Sequence, residues 1–548
     1  MSPRLPRIAV AAAACIPLAF VAVFFMLPLG GMISRGFFAG GTGLDLSGIP
    51  EVLGRARTVR VAIFTLLMAA AGTVLSICVG LPVAFVLYRL RFPGRGVARA
   101  IVMVPFVLPT VVVGVMFRAL LGASGPAGFL GLDGTWAAIL LAFVFFNTAV
   151  VVATVGSTWA GMDHRAQEAA AALGANPWQV WRTVTFPALI PAIVSAGCVV
   201  FLFCSTAFGV VLTLGGLRYG TIETEIYFLT TQFFDLRGAA VLSLLQVVVV
   251  VALLAAAARA RAAGEQVLAA NRTGPRSPRR SDAPVLALTG VVVLAILMPL
   301  GALVLRSVRG SGGWTLQNFV LLNDPSASPA LRVSVTEAIG NSLRTAVDAT
   351  VLAMVLGIIV SIVVTRRPHK RAERRALAGV DALFMLPLGV SAVTIGFGFL
   401  ITLDSPPLDL RSSPILVPIA QAMVALPLVV RIVTPALRGV DQRLGQAAAT
   451  LGAGPFRAAW TVEAPVLRRP IMAAAGFAFA VSLGEFGATS FLARPERPTV
   501  PVLIYDLLSS PGANNAGMAL AASVVLAVLT TSIIAVVERL RRNDIGAV

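Results

Sequence analysis

Residues 167–191, QEAAAALGANPWQVWRTVTFPALIP, form a polar-edged, alanine-rich interruption in a chain that is otherwise mostly apolar. Residues 445–470, GQAAATLGAGPFRAAWTVEAPVLRRP, interrupt it again 278 positions later. Between 163 and 187 that offset gives 12 identities in 25 positions without a gap: Asp163, Arg165, Ala169, Ala170, Ala171, Leu173, Gly174, Ala175, Pro177, Thr183, Val184 and Pro187 recur at 441, 443, 447, 448, 449, 451, 452, 453, 455, 461, 462 and 465. It also pairs Pro109 with Pro387, Phe208–Gly209 with Phe486–Gly487, Thr221 with Thr499, and Ile226–Tyr227 with Ile504–Tyr505. Alanine-rich helices match by composition alone, but these Gly, Pro, Thr and Tyr matches do not. The chain is a duplication.

The 548 residues are 58% hydrophobic and 12% charged, too few charges to clothe a soluble domain of this size. Apolar runs long enough to cross a bilayer as helices recur at roughly 8–30, 61–88, 97–121, 136–157, 192–214, 238–258, 284–306, 342–365, 378–402, 414–436, 470–491 and 518–538. The first resembles a secretion signal in its basic flank (Arg4, Arg7), but its apolar run is too long for a signal core and it reads as an anchor. Twelve spans split six and six around the Arg/Ser/Pro-rich segment 259–283, a polar linker. The expected units are an anchor helix and outer loop (1–57), a first transmembrane domain (58–258), the linker, a second anchor and outer loop (284–340), a second transmembrane domain (341–538) and a tail (539–548). An even span count per copy makes the repeat parallel, its axis along the membrane normal.

With the N-terminus inside, the interior segments, together with Arg99 at the inner end of the third span, hold 28 of the 43 basic residues, as the positive-inside rule requires. Both termini are then expected in the cytoplasm. The net charge of +19 thus sets topology and calls for no nucleic acid. The four cysteines lie in apolar runs, and His164 and His369 in interior loops. No Ser/His/Asp set, Cys/His pair or metal-ligand spacing is present, which argues against a membrane enzyme.

Both inserts fall between the fourth and fifth spans of their copy. Asp163 can cap a helix through HRAQEAAAAL, Gly174 stands where a left-handed residue ends it, and Asn176 with Pro177 opens a second helix. Copy two repeats the plan with Asp441, Gly452, Gly454 and Pro455. The smooth alanine face suits close approach by another protein.

Glu168, Ala169, Ala170, Gly174 and Pro187, with Gln446, Ala447, Ala448, Gly452 and Pro465, resemble the EAA loops of binding-protein-dependent ABC importer permeases of type I fold. Gln446 departs from the usual Glu. The resemblance implies an all-α polytopic permease in a bacterial cytoplasmic membrane, with each loop carrying a coupling helix that docks on an ATP-binding subunit. It implies two such subunits, an external substrate-binding protein, and ATP and Mg²⁺ held by the partner ATPase and not by this chain. Consistently, no G-x-x-x-x-G-K-[ST] exists here: the only lysine, Lys370, sits in RRPHKRAE. A secondary transporter with 6+6 repeats shares the symmetry but needs no paired inserts.

The fused layout, with residues 208–229 and 482–508, is most similar to thiamine-type permeases, with ferric-iron-type next and sulfate and molybdate permeases also similar. This implies thiamine or its phosphates as passenger, with iron(III) second. Glu485, whose repeat partner is Ala207, is an intramembrane carboxylate and so a candidate pathway residue for a cation; the competing reading is a structural acid. The outer loops expected to meet the binding protein include 31–60, 215–237, 307–341 and 492–517.

Overall fold

The computed structural model describes residues 7–38, 45, 48–163, 165–264, 275–310, 313–365, 371–404, 409–411, 413–512 and 514–543. The described chain is helical apart from one two-residue ladder and isolated bridges. The first half comprises α1 (Ala14–Phe37), α2 (Ala56–Arg89), α3 (Arg95–Val107), α4 (Thr110–Leu121), α5 (Trp136–Gly161), α6 (Arg165–Ala172), α7 (Pro177–Ser205), α8 (Gly209–Gly215), α9 (Ile222–Thr231) and α10 (Leu236–Gly264). The second half comprises α11 (Arg280–Ser307), α12 (Val335–Val364), α13 (Arg371–Met385), α14 (Ala392–Thr402), α15 (Leu416–Arg438), α16 (Gln442–Thr450), α17 (Ala464–Leu483), α18 (Thr489–Leu492), α19 (Val500–Ser509) and α20 (Asn515–Asn543). Each element of the first half has its counterpart ten labels on.

The copies share atomic detail. A Cβ built on Gly80 of α2 would sit 2.6 Å from Val151 Cγ1 of α5, and one on Gly357 of α12 would sit 2.6 Å from Val429 Cγ1 of α15. Only glycine lets these helix pairs approach so closely, and close packing is what holds apolar helices together in lipid. Likewise the Thr65 hydroxyl accepts the Ile222 N–H at 3.0 Å, and the Ser342 hydroxyl accepts the Val500 N–H at 2.8 Å, each satisfying a helix N-terminus.

Ten described helices are long and apolar enough to cross a membrane unbroken, not twelve. The run expected at 97–121 is α3 and α4, bent by 109° at Leu108–Pro109, and the run at 378–402 breaks at 386–391 around Pro387. Proline removes an N–H and disfavours helix in the residue before it. The bent pair still crosses. Leu90, after α2, bridges Arg276, before α11, so both ends lie on one side. The chain between them crosses in α5, α7 and α10, and an even total requires a fourth crossing. Counted as one span, the bent pair brings the described spans to eleven, six in the first half and five in the second.

Three further expectations shift. The runs at 192–214 and 470–491 end at Ser205 and Leu483, with α8 and α18 as separate short helices. The linker is shorter than 259–283, because α10 extends to Gly264 and α11 begins at Arg280; residues 265–274 lie outside the described ones. Its visible part is pinned: Arg276 holds Asp282 through two hydrogen bonds of 2.7 and 2.9 Å. Finally, the anchors, expected as units apart from the transmembrane domains, pack closely on them. α1 packs on α12, α14 and α15 of the other copy, with Phe24 and Phe399 rings 6.1 Å apart. α11 packs on α2, α3 and α4, with Arg306 donating to the Ala119 carbonyl at 3.2 Å and to Ser124 Oγ at 2.7 Å. Each anchor thus reaches across to the other half while also packing on its own, α1 on α10 and α11 on α20.

Candidate functional site

The two inserts fold alike. Asp163 Oδ1 accepts the Arg165 N–H at 3.0 Å, and Asp441 Oδ1 accepts the Arg443 N–H at 2.9 Å, so an acid opens α6 and α16. Both helices end on a glycine in the left-handed region, Gly174 at φ +88° and Gly452 at φ +82°. The residue after each then closes the turn on the alanine row, Ala175 N to Ala170 O at 3.1 Å and Ala453 N to Ala448 O at 3.0 Å. Glu168, Gln446, Gly174, Gly452, Pro187 and Pro465 are exposed, as are Ala169 and Ala447, whereas Ala170 is half-buried and Ala448 buried. Leu173 and Leu451, one residue before each glycine, are 89% and 87% exposed. An apolar side chain is thus held out at matched places in both inserts.

The second leg of each insert differs. In copy one Asn176 and Gln179 exchange side-chain-to-backbone bonds, both 2.8 Å, and Trp178 stacks on Trp181 with centroids 5.1 Å apart. In copy two Gly454 occupies the capping position, so that reciprocal pair is lost. Each leg then widens into a π-turn, Trp181–Thr185 and Ala459–Glu463, just ahead of Pro187 and Pro465. Proline cannot donate to the preceding turn, and the wider turn absorbs the mismatch. The second leg of copy one thus runs on into its span as one helix, Pro177–Ser205.

Sequence reasoning missed Gln167, which donates to Thr185 Oγ1 at 3.0 Å and ties α6 to the π-turn. Its repeat position is Gly445, so only copy one has this tie.

Within the membrane domain Glu485 is buried. Its Oε1 accepts the Ala488 N–H at 2.7 Å, and its Oε2 accepts the Thr489 N–H at 3.0 Å and the Thr489 hydroxyl. The carboxylate thereby caps α18. A second acid lies in 215–237, a stretch whose sequence reads as an outer loop. Residues 222–226, the first five of α9, are buried, with Glu223 fully enclosed and its Oε2 accepting from Ser391 Oγ of the other copy at 2.7 Å. The repeat of Thr221 and Ile226–Tyr227 at 499 and 504–505 was the available signal, since a duplicated segment is a structured one. The surface of that region open to a docking protein shrinks to its edges, around Leu217–Arg218 and Gln232–Phe234.

A family model described as "Binding-protein-dependent transport system inner membrane component" matches residues 76–262 and again 353–543. The thiamine transport system permease protein of Escherichia coli K12 is 27% identical over 497 residues, covering 88% of this chain and 89% of that protein. The protein of the same name from Brucella abortus 2308 is 27% identical over 540 residues, covering 95% and 94%. A probable ABC transporter permease from Sinorhizobium fredii is 25% identical over 554 residues, with the same coverage.

Proposed function

The chain belongs to the binding-protein-dependent transport system inner-membrane components, and from that footing we propose that it supplies both permease halves of an ATP-driven importer for thiamine or its phosphates. It is a multi-pass inner-membrane permease, a transport component and not a catalyst, of a family that works with an ATPase and a substrate-binding protein. The observation that carries the finer reading is the matched pair of inserts, each presenting an exposed leucine beside a left-handed glycine. Two such sockets in one chain call for two ATPase subunits per copy of this chain. The coupling surface comprises Glu168, Ala169, Ala170, Gly174 and Pro187, with Gln446, Ala447, Ala448, Gly452 and Pro465. The arginine distribution supports cytoplasmic termini and therefore cytoplasmic sockets.

Thiamine rests on the names of relatives that align over most of the chain. Iron(III) is the second reading, motivated by the buried acids Glu223 and Glu485. The purified complex should weigh as one copy of this chain plus two ATPase subunits. Its vesicles should take up thiamine delivered by the matching binding protein when ATP is inside. Two copies of this chain per complex contradict the fused-permease reading, and uptake of iron(III) but not thiamine transfers the assignment.

A further inference from the structure

Four aromatic residues related in pairs by the duplication meet one another. Phe208 stacks on Phe486, its repeat partner, with ring centroids 5.3 Å apart and 20° between planes. Tyr227 meets Tyr505, also its repeat partner, edge to face at 6.4 Å. The contacts inside each half match as well, Phe208 to Tyr227 at 5.4 Å and Phe486 to Tyr505 at 5.5 Å. A two-fold rotation keeps the midpoint of every exchanged pair on its axis. These two midpoints therefore mark the axis between the halves, and rings fill it there. Both phenylalanines are buried, and the tyrosines are half-buried.

A passenger crossing between two parallel copies travels along that axis. We propose that Phe208, Tyr227, Phe486 and Tyr505 form the gate that closes the path, and that their ring faces, once parted, select an organic cation of delocalised charge such as a thiazolium. This rests on the importer reading above and deepens it.

The physics favours that class over the alternatives. A constriction lined by rings offers little water, so an ion entering it loses hydration. Ring faces carry negative quadrupole and compensate a single, spread positive charge; they compensate poorly for a compact trivalent ion and repel an anion. Two buried acids adjoin the rings. Glu223 precedes Tyr227 by one helical turn on the same face of α9, and Glu485 immediately precedes Phe486. Glu223 Oε1 is left without a well-formed hydrogen bond, although the Gln246 amide is near. Their repeat positions are Pro501 and Ala207, so the rings are symmetric and the acids are not.

The gate is tested on the full chain with its ATPase subunits in liposomes. Phe208→Cys and Phe486→Cys are combined, with the four native cysteines replaced by alanine, and treated with a short reducible bis-methanethiosulfonate. We expect the cross-link to form in the resting complex, to form less after trapping with ATP and vanadate, and to cut binding-protein-dependent uptake at least about tenfold until reduced. Full uptake by the cross-linked complex, or cross-linking unaffected by trapping, overturns the gate. If that variant fails to assemble, Phe208→Ala with Phe486→Ala decides: it should leak preloaded choline without ATP and retain sulfate, and a tight vesicle overturns the gate. For selection, Tyr227→Phe with Tyr505→Phe should keep thiamine uptake, and the double leucine variant should lose about tenfold. Unchanged uptake in the leucine variant, or equal choline and sulfate leaks, overturns selection. A parent complex that moves no thiamine while the cross-linking results hold removes the substrate reading and leaves the gate standing.

Discussion

Arg57 grips Glu225 with two parallel hydrogen bonds, Nε to Oε1 at 2.6 Å and Nη2 to Oε2 at 2.9 Å, joining the start of α2 to α9. The Glu225 side chain is 3% exposed while that of Arg57 is 44% exposed, so the two partners are not equivalent. Removing the arginine leaves a buried carboxylate without its cation. Arg57→Ala should destabilise the membrane domain by about 2–3 kcal/mol, at or below the bottom of the range for broken buried pairs because solvent reaches the guanidinium. Glu225→Gln, which keeps the shape and removes the charge, should cost less. Thermal unfolding in detergent checks the order; equal losses contradict it.

Gly174 and Gly452 have open space where a Cβ would go, so any cost of substitution there is backbone strain alone. Gly174→Val and Gly452→Val should each cost about 1–2 kcal/mol locally, and Asn, which tolerates the left-handed region, much less. The valine double variant should insert normally yet lose ATPase subunits on purification and lose uptake. Glu168→Gln should be mild, because copy two already carries Gln446 there. Normal coupling in the valine double variant would show the inserts to be plain connections.

Glu485→Gln offers an amide nitrogen where one of two backbone N–H groups now finds an oxygen. An unpaired buried donor costs about 1–3 kcal/mol. Stability and uptake should therefore fall together on the same preparation. Slowed cation uptake with unchanged melting would instead assign Glu485 to the path, the alternative that the sequence raised.

Outside the spans, burial alone would raise the Asp235 carboxyl. Hydrogen bonds from Arg55 and the Gly238 N–H, with the nearby charges of Arg55 and Arg237, hold it below its ordinary value. A carboxyl depressed on folding contributes stability that is complete above its unfolded pKa of roughly 3.9 and is lost as pH falls from there through the folded value. Melting should be insensitive to this pair between pH 5 and pH 7 by order of magnitude of that pKa. Below about pH 4 the parent should lose ground relative to Asp235→Asn. The gain is at most about 1 kcal/mol for so exposed a pair. A parent-to-variant gap that stays constant into acid refutes the linkage.

The duplication, the two inserts and their caps were legible because each depends on neighbours in the chain: an acid two residues before an N–H, a glycine where the helix must turn. Bends at Pro109 and Pro387 were less legible, since an apolar run reports composition and not direction. Glu223 lay hidden because polar residues in a short stretch read as a loop until the packing around them is known. The reach of α1 and α11 across to the other half has no local signature at all. It is a choice among apolar surfaces that look alike in sequence, settled by shape at places such as Gly398, where a Cβ would lie 3.0 Å from Pro28 Cβ.

That reach makes the covalent join redundant as a clasp. α11 packs on the first half as well as its own, and α1 on the second as well as its own, so a cut between 264 and 275 severs the polypeptide without parting the molecule. Each fragment keeps hold of the other through a helix it has lent. A gene broken at the same place encodes two proteins that must be made together, because either one alone lacks the helix that covers its own flank.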